Sequence, residues 1–171
     1  LSPEQAGSPA PSLKASGSST GVMSWPSATT ASDCSITDVE LARVGTWNAE
    51  TGQCAITRAD LASAVAAAPH LPAIPVRLGH FDPRFSGSPS LGRVVNLRTG
   101  EAGDVLLGDL VDLPRWLYDN VSKAYPQRSI EAALDFQHEG RTFRFCLTGL
   151  ALLGAEWPAM TSLQDIRDLL E

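Results

Sequence analysis

The sequence predicts an α+β domain that is rich in β-strands, with a mostly antiparallel sheet or partly closed barrel and about three flanking helices. Its apolar runs are of strand length and are separated by turn residues; Leu91–Leu97 and Val105–Val111, for example, join around Gly100 and Gly103. Few stretches have helical spacing. The chain has 171 residues, of which 43% are hydrophobic, enough for the core of one domain.

The first 35 residues predict a disordered leader rather than part of this domain. Ser, Thr, Pro, Gly or Ala occupy 25 of the 35 positions. Such a segment buries too little apolar surface to offset the entropy lost on ordering. We therefore expect a leader over residues 1–35 and a single domain over residues 36–171.

Turn and cap residues predict the boundaries of each element in chain order. The first strand contains Val39, Leu41 and Val44, and Gly52 ends the hairpin turn that follows it. Thr57-Arg58-Ala59-Asp60 resembles a capping box and opens a helix that ends before Pro69. The later predicted elements are a buried strand over 71–78 ending at His80, strands over 91–97 and 105–111, a helix over 113–124, strands over 129–136 and 142–153 joined by a turn at 138–140, and a terminal helix from Thr161 or Ser162 to Leu170.

Charge and cysteine content exclude several classes of function. The net charge of −6 argues against a nucleic-acid partner, which a basic face would bind. No run approaches the roughly 18 apolar residues of a membrane span. Cys34, Cys54 and Cys146 form no CxxC pair, so we expect neither a zinc site nor a disulfide framework. The sequence therefore predicts no metal, no cofactor and no membrane partner.

Two residues combine reactive side chains with positions at the ends of strands. His80 directly follows an apolar strand and opens a loop rich in Gly and Pro, where it can be held while remaining accessible. Ser129 begins a strand after a helix and a polar turn, where a hydroxyl can be exposed at the sheet's end. Serine is a weak nucleophile until a base takes its proton, so the chemistry needs a histidine within reach. His70 and His138 lie in a loop and at a hairpin tip, which favours solvent-facing roles.

An ordered series of short segments resembles a known family. The segments are "RLGHFDPRF", "SLGRVVNLRTG", "LLGDLVDLP", "RSIEAAL" and "LTGLALLGAEWPA". Together they resemble the capsid maturation proteases of tailed phages, in the Mu-like and actinobacterial-phage branch. They are also similar to the broader group of prohead proteases, which shares the herpesvirus protease fold. The resemblance covers residues 39–170, and the order of the segments is more specific than any one of them.

The resemblance implies a serine endopeptidase with a herpesvirus-protease-like fold. In that family the histidine ends a strand in a Gly-His motif and the nucleophilic serine lies about 50 residues later; here these positions are His80 and Ser129, 49 apart. The implied activity is cleavage of scaffold and major capsid proteins, and of the protease itself, during head maturation in the host cytoplasm, inside the assembling prohead. The implied partners are those two substrates and other copies of the chain. The alternative is a non-catalytic capsid or scaffold-associated domain that keeps the fold.

The group that orients His80 stays open at the level of sequence. If the last two long strands pair around the 138–140 turn, Ser129 lies opposite Gly149 or Leu150, which carry no acid. Thr148 is then the nearest polar side chain, whereas Glu131 shares a strand face with Ser129. A different group, or a plain dyad without a third member, is the remaining alternative.

Three further polar side chains lie near these positions in the sequence. Glu156 lies just beyond the last long strand, where a loop carboxylate is usually solvated. Asp82 is expected to cap its own turn. Arg128 has two equal interpretations, as a residue that positions substrate or the turn, and as an ordinary surface residue.

Overall fold

The computed structural model describes residues 34–49 and 51–170. The leader was predicted to be disordered over residues 1–35. Of these, Cys34 and Ser35 are described and residues 1–33 lie outside the described range. Cys34 is buried, and its carbonyl accepts a hydrogen bond from the Leu113 N–H at 3.1 Å. The elements are β1 Ile36–Arg43, β2 Gly45–Ala49, β3 Gly52–Ile56, α1 Arg58–Ala67, β4 Ile74–Leu78, β5 Arg93–Gly100, β6 Val105–Val111, α2 Arg115–Tyr118, α3 Val121–Ala124, β7 Gln127–His138, β8 Arg141–Leu153 and α4 Ile166–Leu170.

The described strands form a curled six-stranded sheet and a separate two-stranded hairpin. The order in the large sheet is β1-β6-β5-β4-β8-β7, and β2 pairs with β3. Every neighbouring pair is antiparallel except β4 and β8, which are parallel. The curl of the sheet brings its two edge strands, β1 and β7, close together. Arg128 Nε on β7 donates a hydrogen bond to the Glu40 carbonyl of β1 at 2.6 Å. The predicted strand-rich, mostly antiparallel α+β fold is thus confirmed.

The helices differ from prediction in number and in boundaries. Residues 113–124 form two four-residue helices, α2 and α3, instead of one helix. The break falls at Asn120, which precedes α3 and whose side-chain amide donates to the Trp116 carbonyl at 2.6 Å. Such local side-chain bonds compete with a continuing helix. The terminal helix begins at Ile166, not at 161 or 162, since the Asp165 carboxylate accepts from the Arg167 N–H at 2.9 Å, as a cap does.

One hydrophobic core holds the sheet and supports the strands that carry the site. Its fully buried members include Leu150 and Leu152 of β8 and Val76 of β4. β8 lies between β4 and β7, which explains why its sequence is almost wholly apolar and confirms the predicted central position. β8 therefore forms a rigid platform between the strand that carries Ser129 and the strand that leads to His80.

Candidate active site

A β-bulge in β8 sets the register opposite the candidate nucleophile. Beside the turn the β7–β8 hairpin pairs regularly, and the register then shifts by one residue between Glu131 and Ala132. Thr148 is the extra residue, because Leu147 and Gly149 both have partners on β7 and Thr148 has none. Ser129 consequently lies opposite Ala151. The prediction that it lies opposite Gly149 or Leu150 was wrong.

The shifted register gathers several polar side chains on one face of three strands. Ser129 and Glu131 share a face because strand residues two apart point the same way. Glu131 lies opposite Gly149, and Ala151, the partner of Ser129, pairs on its other side with Arg77 of β4. This face therefore presents a hydroxyl, a carboxylate and a guanidinium across adjacent strands.

His80 lies in the bend that follows β4, close to the carboxylate of Glu131. Gly79 adopts φ of +69°, which a glycine tolerates well, and its N–H donates to the Leu152 carbonyl at 3.0 Å. That bond ties the bend to β8. His80 Nδ1 lies 3.7 Å from Glu131 Oε1, within ion-pair distance for a protonated ring and beyond ordinary hydrogen-bond length. About a third of the His80 side chain, 36%, is exposed.

The Glu131 carboxylate is held from two directions. Its Oε1 accepts a hydrogen bond from the Phe81 N–H at 2.9 Å, and its Oε2 lies 3.5 Å from the Arg77 guanidinium. The Arg77 guanidinium also lies over the Phe81 ring, 5.3 Å from its centroid. Both side chains of the ion pair are more than four-fifths buried. Glu131 is thus anchored to the residue after His80, which keeps carboxylate and imidazole together.

His80, Ser129 and Glu131 line one groove with a volume of about 830 Å³. The groove runs beside β7, which is an edge strand of the sheet, and its other walls come from the β2–β3 hairpin and the segment 156–163. Much of its lining is apolar and includes Leu41, Trp47, Ile56, Leu134, Phe145 and Trp157. Such a groove can hold an extended, largely apolar peptide segment against the strand that carries Ser129.

No hydrogen bond joins the His80 ring to the Ser129 hydroxyl. In unliganded enzymes the bonds of catalytic residues are often long and shorten when substrate binds. Glu131 faces Nδ1 of the ring, so Nε2 is the ring nitrogen without this carboxylate beside it. The arrangement places a hydroxyl, an imidazole and a carboxylate along one groove.

The residues considered for the orienting group lie at different places relative to His80. Thr148 is exposed at the bulge, has no hydrogen bond to His80 and does not line the groove. Asp82 accepts from the Arg84 N–H at 2.9 Å and pairs with its guanidinium, as expected of a residue that caps its own turn. Glu156 lines the groove but is exposed. Of the four, Glu131 is the one in contact with His80.

Two arginines are more buried than an arginine usually is. Arg77 was overlooked, although a charged residue inside an apolar strand signals a buried partner. Arg128 is only 1% exposed, so its interpretation as a surface residue was wrong. Burial lowers the pKa of Arg128 to about 10, although the carboxylates of Glu40 and Asp165 favour its charged form. Arg128 therefore ties the two edge strands from inside the fold.

Comparisons with protein-family models, with curated proteins and with solved structures give no match for this chain. Within residues 34–49 and 51–170, no three His, Cys, Asp or Glu side chains cluster as metal ligands do. The described helices are too short or too polar to cross a membrane.

Proposed function

We propose that this chain is a serine endopeptidase of the phage capsid maturation type, with Ser129 as nucleophile, His80 as general base and Glu131 as the group that orients His80. One arrangement carries this proposal: the three side chains line a single groove, with the Glu131 carboxylate 3.7 Å from Nδ1 of the candidate base. The curled, mostly antiparallel sheet is compatible with the herpesvirus-protease-like fold that the resemblance implies.

The chemistry is acyl transfer in two steps. The Ser129 hydroxyl oxygen attacks the substrate carbonyl carbon while His80 Nε2 takes the hydroxyl proton. The carbon–nitrogen bond then breaks, and the leaving amine departs with that proton. Water, deprotonated by His80, then attacks the ester carbon. The bond from that carbon to the Ser129 oxygen breaks, the serine oxygen takes the proton from His80, and the carboxylic acid product leaves. Glu131 keeps the ring oriented and stabilises the imidazolium that forms in each step. No metal or cofactor enters this scheme.

The groove favours an extended substrate with apolar side chains. Trp157 at the groove is 89% exposed and Leu134 is 65% exposed, so both are available to a bound chain. Exposed aromatic and aliphatic side chains at a concave surface mark binding sites. The substrates we propose are segments of scaffold and major capsid proteins, and of this chain itself, cleaved in the host cytoplasm inside the assembling prohead. Assembly with other copies of the chain belongs to the same proposal.

Labelling with a fluorophosphonate tests the nucleophile directly, because the reagent reacts with an activated serine in the absence of any peptide substrate. It forms an oxygen–phosphorus bond to that serine as fluoride leaves. We expect peptide mass spectrometry of the treated protein to locate the adduct on Ser129. Ser129→Ala abolishes the adduct and lowers cleavage of co-expressed scaffold and capsid proteins by about 10⁴-fold or more.

Ser122→Ala is the matched control, since Ser122 lies on α3 and does not line the groove. That variant should label and cleave like the parent protein. If the folded parent neither labels at Ser129 nor cleaves these proteins, the chain is instead the non-catalytic capsid or scaffold-associated domain. The missing His80–Ser129 hydrogen bond is the observation that favours this second candidate.

A further inference from the structure

The carboxylate of Glu131 occupies the space where a side chain at position 149 would begin. A β-carbon built on Gly149 would lie 2.6 Å from Glu131 Oε2 and 3.2 Å from its Cδ. The same β-carbon would lie 3.1 Å from the Arg77 guanidinium. The Glu131–Arg77 ion pair therefore lies directly over the backbone of Gly149.

This placement follows from the strand order. Glu131 is on β7, whereas Arg77 is on β4 and His80 follows β4, and β8 lies between these two strands. Neighbouring strands are about 4.8 Å apart, so β7 and β4 are separated by roughly 10 Å. The carboxylate must pass over the middle strand to reach its partners. Residue 149 is the one that it passes over.

The bulge determines which residue of β8 faces Glu131. The regular pairing beside the turn would place Thr148 opposite Glu131, and a threonine side chain would fill the path of the carboxylate. The extra residue moves Gly149 into that position instead. Bulges commonly redirect side chains next to functional sites. Gly149 does not have a positive φ, so its backbone conformation does not demand glycine.

We propose that Gly149 is a positioning residue: the absence of a side chain there lets the Glu131 carboxylate cross β8 and contact His80. This inference rests on the proposed function, because it assigns Gly149 to the same catalytic site. A methyl group at 149 displaces the carboxylate from His80 Nδ1 and from the Phe81 N–H. The displaced atoms are the end of a flexible side chain, so the fold survives while the orienting acid is lost.

Gly149→Ala is the test, with Gly100→Ala as the matched control. Gly100 is also a strand glycine without positive φ, and its added β-carbon would meet only the Leu107 side chain. We expect Gly149→Ala and Glu131→Gln each to lower kcat by about 10²-fold or more, with a smaller change in KM. The melting temperature should change by no more than about 5 °C. Gly100→Ala should keep the parent kcat.

Two further measurements separate positioning from a general structural effect. The Glu131→Gln/Gly149→Ala double variant should be no slower than the slower single variant, because both changes remove one interaction. The ¹⁵N signals of the His80 ring should change in the same way in both single variants. If Gly149→Ala unfolds the protein, adding Glu131→Ala should restore folding by removing the clash; failure to restore it overturns the inference.

Different results would overturn the role of Gly149 and the catalytic role of Ser129. Full activity in Gly149→Ala, with Ser129 still required, overturns the role of Gly149 and leaves the proposed function standing. An unlabelled Ser129 in the parent overturns the function. In that case the His80 ring signals still decide whether Gly149 governs the contact between Glu131 and the ring.

Discussion

Replacing Arg128 with methionine should leave the protein as stable as the parent or more stable, although it removes a buried side chain's hydrogen bond. Arg128 Nε donates to the Glu40 carbonyl at 2.6 Å, while its two terminal guanidinium nitrogens are buried and have no hydrogen-bond partner among residues 34–49 and 51–170. Methionine has a similar length, carries no charge and adapts to irregular core space. The substitution therefore removes an incompletely compensated charge without leaving a large cavity.

The expected change in the free energy of unfolding follows from the pKa of Arg128. A guanidinium that titrates at about 10, well below its usual value, is disfavoured in the folded state by about 3 kcal/mol, at about 1.4 kcal/mol per pK unit. Loss of the bond to the Glu40 carbonyl costs about 1–3 kcal/mol. The net expectation is a free energy of unfolding between unchanged and about 2 kcal/mol higher in Arg128→Met. Buried charges replaced by apolar groups show this behaviour in other proteins.

Urea denaturation at pH 7 measures the effect, with Arg84→Met as the control. Arg84 is largely exposed and pairs with Asp82, so its substitution should leave the unfolding free energy close to that of the parent. A loss of more than about 2 kcal/mol in Arg128→Met would show that the guanidinium is fully compensated and would refute the reasoning.

The stability advantage of Arg128→Met over the parent should decrease as the pH rises. The folded protein releases the Arg128 proton near pH 10, while the unfolded chain keeps it to higher pH, so the stability of the parent rises across that interval. The advantage of Arg128→Met should therefore be full at pH 7 and smaller at pH 10.5. A difference that stays constant or grows would contradict the lowered pKa.

Two other predictions concern the support of the sheet. Burial alone would raise the pKa of Asp60, but hydrogen bonds from Arg144 and the helix cap outweigh it and hold that pKa below its usual value. Asp60→Ala should lower the unfolding free energy at pH 7 by about 1–3 kcal/mol in urea denaturation. The unfolding free energies of parent and variant should converge as the pH falls below about 4 and through the pKa of Asp60 in the folded protein. A difference that stays constant with pH would contradict the ion pair between Asp60 and Arg144. Gly108→Ala should cost about 1–3 kcal/mol by calorimetry, since its β-carbon would lie 2.9 Å from Leu41 and from Val94; unchanged stability would mean that the core yields there.

The sequence determined most of the elements, because their signals are local. The capping box Thr57–Asp60 opens α1 as predicted, with both reciprocal hydrogen bonds present. The turn at 138–140 joins β7 to β8 with positive φ at Glu139 and Gly140, as a tight hairpin requires. Where a local side chain competed with the pattern, as Asn120 does between α2 and α3, the prediction of one helix was wrong.

The sequence also indicated the pair His80 and Ser129, through their positions at strand ends and through the resemblance. It left the third residue open, because the choice between Thr148 and Glu131 depends on the pairing register. One extra residue in β8 changes which side chain lies opposite Glu131, and no local pattern marks that insertion.

Tertiary structure alone decided that Glu131 reaches His80. The contact needs β4, β8 and β7 side by side, a glycine in the middle strand and Arg77 beyond it, so it joins segments about 50 residues apart in the chain. The burial of Arg128 was decided in the same way, by the curl that brings β7 against β1. Local sequence specifies helices, strands and turns, whereas the contacts of the site arise from long-range packing that no short segment encodes.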